Sequence, residues 1–139
     1  MHIAIIGCGQ LSRMLALAGI PLGFRFSFIA DSPDQDTRCV DQLGTTVHWN
    51  PDQSPEILFN CLGRPDVVTA EKEQIDIALL EALKPYCNVH PNTRSFASMQ
   101  DRSNEKQLLN QLGIPCAPHV YGVSAAEAIE TLAVPFYKN

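Results

Sequence analysis

Two periodicities alternate along this chain, and each change of period marks a new element. Ile3 to Ile6 is a short apolar, β-branched run, as expected of a strand covered on both faces. Leu11, Met14, Leu15, Ala18 and Leu22 then recur at helical spacing, which predicts a helix laying that face on the first strand's sheet. Pro21 and Gly23 end it. Arg25 to Ala30 predicts a second strand, with the polar, turn-rich run from Asp31 to Asp36 at its carboxyl end. Thr45 to Trp49 reads as a strand, Pro55 to Leu62 as a helix, and Asp66 to Thr69 as another buried strand. Ile75 to Leu83 is helical, with Ile75, Leu79 and Leu83 on one stripe that Ala78 and Ala82 widen. Asn88 to His90 makes a last short strand before Pro91.

Strands alternating with helices imply an α/β fold, a Rossmann-like parallel sheet flanked by helices and joined by right-handed crossovers. Ligands of such sheets collect beyond the carboxyl ends of the strands. The segments Gly7 to Gln10, Asp31 to Asp36 and Thr69 to Glu73 all follow strands and are expected to converge there. After Asn92 the character changes: Phe96, Met99, Leu108, Leu109 and Leu112 belong to two helical segments, the second closed by Gly113. Ser124-Ala-Ala-Glu127 is a capping box that opens a further helix, and Val134 to Lys138 reads as the start of a strand. The expected division is a complete domain over residues 1–95 and the incomplete beginning of a second over 96–139.

The turn after the first strand carries the first chemical signal. Gly7 and Gly9 allow a tight turn with uncovered amides, and the helix behind it points its positive end at the same spot. This is an anion-binding device, and phosphate is its usual guest. A dinucleotide site would read G-x-G-x-x-G; here Ser12 stands at the third glycine. Asp31, at the end of the second strand, sits about where a ribose-binding acid would lie, so an NAD(P)-binding module is an alternative. Cys8 lies inside the turn, but with no positioned base nearby in sequence it reads as a buried thiol rather than a nucleophile.

Composition narrows the field. Net charge is −5 and the ten basic residues are scattered, so nucleic acid and anionic membranes are not expected partners. The five cysteines lack any C-x-x-C, and the four histidines do not pair with them at ligand-like spacing. Neither a disulfide framework nor a structural zinc site is expected. Without a basic leader or a bilayer-length apolar run, the chain reads as cytoplasmic.

Four segments in order resemble one family. Gly7-Cys-Gly-Gln-Leu-Ser-Arg-Met-Leu15 followed by Ala18-Gly-Ile-Pro-Leu-Gly23 is similar to the opening of the 5-(carboxyamino)imidazole ribonucleotide synthetases, ATP-grasp ligases of purine biosynthesis. Asp66-Val-Val-Thr-Ala-Glu-Lys-Glu73, Gln100-Asp-Arg-Ser-Asn-Glu-Lys-Gln107 and Leu112-Gly-Ile-Pro-Cys-Ala-Pro118 match three later motifs of that family. The resemblance implies a pre-ATP-grasp domain followed by the start of an ATP-grasp domain. It implies chemistry in which ATP and bicarbonate give carboxyphosphate, whose carboxyl group passes to the exocyclic amine of aminoimidazole ribonucleotide. It further implies that Gly9, Gln10 and Leu11 bind the ribonucleotide, largely through the helix N-terminus. Glu71 or Glu73 would approach its amine or ribose, and Arg102 and Lys138 the phosphates of ATP. Mg2+ would accompany ATP in the complete enzyme, no metal ligand or catalytic residue is expected within this segment, and a homodimer is the family's habit. Three positions depart from the pattern: Cys8 and Ser12 replace glycines, adding bulk expected near the phosphate, and Lys72 replaces an apolar or aromatic residue between the two acids. The ATP loop and metal-binding acids of the family find no match here, so the chain alone is expected to bind substrate phosphate without turnover. A non-catalytic interaction domain is the remaining alternative.

Overall fold

The computed structural model describes residues 1–132. The strand expected at Val134 to Lys138, and Lys138 with it, lies outside them. Contacts divide the chain into two compact units, Met1–Gln100 and the part from Asp101 onward.

The first unit is built on five parallel strands: β1 (His2–Ile6), β2 (Arg25–Ala30), β3 (Thr45–His48), β4 (Val67–Ala70) and β5 (Asn88–Val89), in the order β3-β2-β1-β4-β5. β1 is central, with Ile5 opposite Phe28 of β2 on one side and Thr69 of β4 on the other. The crossovers carry the helices α1 (Gln10–Gly19), α2 (Pro55–Cys61) and α3 (Ile77–Leu83), with α4 (Thr93–Met99) after β5. The chain runs outward from β1 to β3, then returns to the other flank of β1 as β4. The sheet therefore has its switch point between β1 and β4, where ligand crevices open in folds of this type.

Alternation along the strands divides the core into two layers. Ala4, Ile6, Ile29 and Val68 face Leu58, Phe59 and Leu62 of α2, Leu79, Leu80 and Leu83 of α3, and Phe96 of α4. The stripe expected of Ile75, Leu79 and Leu83 is buried there, although α3 itself starts at Ile77 because Asp76 caps it, accepting from the Ala78 amide at 2.8 Å.

The opposite layer holds Ile5, Cys8, Phe26, Phe28 and Ala30 with Ala16 of α1. Here the expected helix face is overturned. Leu11, Met14 and Leu15 are exposed, as are Ala18 and Leu22; the buried residues of α1 are Ser12, Ala16 and Gly19. The reason is proximity. The phenyl ring of Phe26 stands so close that a Cβ on Gly19 would meet it at 2.5 Å. Only small side chains fit between this helix and the sheet, so the large ones turn outward.

In the second unit, α5 (Arg102–Gln111) is capped by Asp101, which accepts from the Asn104 amide at 3.0 Å. α6 (Ala125–Leu132) opens with the expected box: the Ser124 amide donates to Glu127 at 2.7 Å, and the Glu127 amide to the Ser124 hydroxyl at 3.3 Å. No helix among the described residues is long and apolar enough to cross a membrane.

Candidate functional site

The site grows from the turn between β1 and α1. The Gly7 amide continues the sheet by donating to Ile29 O at 2.8 Å, and its φ of +114° takes the chain out of the strand. The residue here must be glycine for a second reason as well: a Cβ would lie 2.4 Å from the Glu71 side chain. Helix α1 then begins with Gly9 at its N-cap, which has no side chain to satisfy the first-turn amides.

Those amides are served from the other side of the switch point. Glu71 directly follows β4, and its own amide is fixed by Ile6 O at 3.0 Å. From there its carboxylate reaches across the crevice, accepting from the Gly9 amide at 3.1 Å through Oε1 and from the Ser12 amide at 2.9 Å through Oε2. The chain thus caps α1 with an acid roughly sixty positions away in sequence. The anion cradle read from the sequence is real, and a carboxylate of the protein rests in it.

The two departures in the turn fall on the inner side. Ser12 is fully buried and its hydroxyl donates to Gly7 O at 2.8 Å, so it braces the turn instead of crowding a ligand. Cys8 is also fully buried in the core beneath α1. Burial first, then the charges of Glu71 and Asp31, push its thiol up to about 12, which removes it as a nucleophile near neutral pH.

Asp31, at the end of β2, has its carboxylate engaged by Lys72 Nζ at 3.2 Å. Lys72 and Glu73 are exposed, and Gln10 and Leu11 face outward at the start of α1. The loop bearing Glu73 is clasped by Gln100, whose side-chain amide donates to Glu73 O at 3.0 Å and Ile75 O at 2.6 Å. Gln74 completes the clasp, donating to Gln100 O at 2.9 Å. Gly9, Gln10, Leu11 and Glu71 are therefore brought together, and Glu73 lies two residues beyond Glu71 on a fixed loop. Arg102 belongs to the second unit, where its guanidinium donates to Glu105 at 2.8 Å, the i, i+3 pairing open to any such arginine. Among the described residues no group of three His, Cys, Asp or Glu side chains is placed to hold a metal ion.

Sequence reasoning missed the roles of Ser12, Lys72 and Gln100. Lys72 and Ser12 stood out only as departures from a pattern, and Gln100 only as the first residue of a matched motif, since the role of a glutamine is not legible until its partners are known.

Fold and site together define the class: a Rossmann-like α/β domain with its ligand crevice at the switch point. The chain belongs to the family described as the ribonucleotide synthetase preATP-grasp domain, which matches residues 1–100. Within it, the chain is similar to the N5-carboxyaminoimidazole ribonucleotide synthases. The enzyme of that name from Pseudomonas aeruginosa is 38% identical over 115 residues, covering 83% of this chain and 31% of the relative. The crystal structure of the synthetase from Thermus thermophilus superposes with a TM-score of 0.71 at 34% identity, over 93% of this chain and 34% of that one. A synthase from Aspergillus clavatus in complex with ADP and 5-aminoimidazole ribonucleotide gives a TM-score of 0.73 at 26% identity, over 96% and 36%. The chain spans about a third of the length of these relatives.

Proposed function

We propose that this chain binds 5-aminoimidazole ribonucleotide at the switch point, as the substrate-binding part of an ATP-dependent carboxylating ligase of purine biosynthesis. One observation carries the reading: the Glu71 carboxylate lies on the Gly9 and Ser12 amides, gathering Gly9, Gln10, Leu11 and Glu71 at the crevice. Glu71 takes two donors of the first turn. The amides of Gln10 and Leu11, which no carbonyl within the helix can serve, are left for a ligand. In this reading they donate to the ribose-phosphate end of the substrate. Glu73, presented on the clasped loop, accepts from its amine or ribose hydroxyls. The complex of the Aspergillus clavatus synthase with the same ribonucleotide supports the choice of ligand.

The remaining chemistry is carried over as part of the proposal. ATP and bicarbonate would form carboxyphosphate, and Arg102 and Lys138 would meet the phosphates of ATP. The described residues do not fit a magnesium site, so no step is assigned to the metal here. A dinucleotide fits the geometry less well. Its ribose would find Asp31 already paired with Lys72.

Calorimetric titration of the chain with aminoimidazole ribonucleotide, NAD and ATP tests the reading. Saturable binding of the ribonucleotide is expected. Gln10→Pro, read against Gln10→Ala, is the diagnostic variant, because Gly9 is extended (φ −89°, ψ −164°) and the first helical position accepts proline, so relative to the alanine variant only the backbone donor is lost. It should weaken ribonucleotide binding by about tenfold, the worth of one charge-assisted hydrogen bond, with the melting temperature unchanged. Binding of NAD with no response to the ribonucleotide would overturn the proposal.

A further inference from the structure

We infer that Gln100 is a positioning residue of this site, whose side-chain amide fixes the loop that aims Glu73 at the base and ribose of the ribonucleotide; the inference rests on the ribonucleotide reading above. The loop runs from Glu71, directly after β4, to Asp76, the cap of α3. Its two ends are held by the sheet and the core. The Glu71 amide donates to Ile6 O at 3.0 Å, and the Ile75 side chain is buried in the layer of Leu79 and Leu83. Between these ends Lys72, Glu73 and Gln74 are exposed, so burial anchors none of them. The ion pair of Lys72 with Asp31 is open to water on the lysine side and holds the loop weakly.

Gln100 supplies the missing constraint. A side-chain amide nitrogen has two hydrogens to donate, and Nε2 of Gln100 donates to two loop carbonyls, Glu73 O at 3.0 Å and Ile75 O at 2.6 Å. Glu73 O also accepts from the Ile75 amide at 3.0 Å, which closes a three-residue turn. Gln100 therefore grips the carbonyls at both ends of that turn, and the backbone that carries the Glu73 side chain is fixed. Gln74 returns the grip by donating to Gln100 O at 2.9 Å. The clasp has its own anchor: the Gln100 amide donates to Phe96 O at 3.1 Å, and the Phe96 ring is buried in the core. Fixation thus passes from the core through α4 to an exposed acid.

This matters for binding because a carboxylate on a loose loop must give up conformational freedom when a ligand arrives. On the clasped loop that freedom is already lost in folding. Gln100 touches no part of the ligand in this reading and acts through Glu73, at the base and ribose end. The phosphate end is set separately, since the first turn of α1 is held by Glu71 and not by the clasp.

Gln100→Met keeps the length of the side chain and removes both donors. In calorimetric titration of the 139-residue chain it should weaken aminoimidazole ribonucleotide binding by about tenfold, the scale of immobilising one backbone residue. In a Glu73→Ala background the same substitution should change affinity by less than about twofold, whereas combined with Gln10→Pro its effect should be undiminished. A merely structural role would weaken binding equally in every background. Gln74→Ala, at an exposed position, releases the other half of the clasp and should act in the same direction with a smaller loss. Without any ligand, deuterium exchange of the Ile75 amide followed by NMR should quicken in both variants. Wild-type affinity in Gln100→Met, unchanged Ile75 exchange, or a loss that persists with Glu73→Ala overturns the inference and leaves the ribonucleotide reading intact. Failure of the wild-type chain to bind the ribonucleotide overturns both.

Discussion

The Glu71 carboxylate does at the residue scale what a local N-cap does elsewhere, with the difference that it ties two elements together. Helix α1 starts on a glycine that offers no side-chain acceptor, so its first-turn amides depend on an acid delivered by β4. Removing the charge while keeping the shape tests this. Glu71→Gln should lower the unfolding free energy by about 1–2 kcal/mol, in the range of charged hydrogen bonds at a helix start. Denaturant unfolding followed through Trp49, the single tryptophan, reads the change directly. An unchanged midpoint would mean that the carboxylate serves the ligand site alone. Cys8 and Ser12 belong to the same story, since both are buried and shape the turn from beneath.

Elements pack here by two different rules on the two faces of one sheet. Helices α2 and α3 present leucines, and their burial is ordinary hydrophobic packing. Helix α1 approaches with Ser12, Ala16 and Gly19, against Phe26 and its neighbours in β1 and β2. Substitution on its two faces should therefore give contrasting results. Ala16→Leu, which inserts bulk where none fits, should destabilise the fold by about 1–3 kcal/mol. Met14→Lys, on the outward face, should stay within about 0.5 kcal/mol of the parent. Thermal melts of the pair measure both. If Met14→Lys proved the more damaging, the helix would be packed by its larger residues after all.

For the whole molecule, the relation to its relatives is one of length. The chain spans about a third of the length of its relatives, and its described residues gather the crevice proposed for the ribonucleotide but no metal-holding group. Binding and turnover should therefore separate. The chain is expected to take up aminoimidazole ribonucleotide yet release no ADP when ATP and bicarbonate are added, as a coupled assay of ADP would record. Ribonucleotide-dependent ADP release would show that the 139 residues hold a working ATP site.

The order of strands and helices was legible in the sequence because period and punctuation are local. The apolar run of β1, the stripe Ile75–Leu79–Leu83 and the Ser124–Glu127 box each declare themselves within a dozen residues. The parallel sheet followed from their alternation, and the glycine turn marked the edge at which the switch point lies. Four ordered motifs pointed to the family. What the sequence did not settle depends on distance in space. Periodicity shows that α1 has an apolar side, but the Phe26 ring decides that small residues must face inward. Composition shows acids and a lysine after β4, but the neighbouring of β2, β1 and β4 decides that Glu71 caps α1 and Lys72 holds Asp31. Local patterns are written by hydrogen bonding and burial within an element; the partner of a charge is chosen only when the strands are laid side by side.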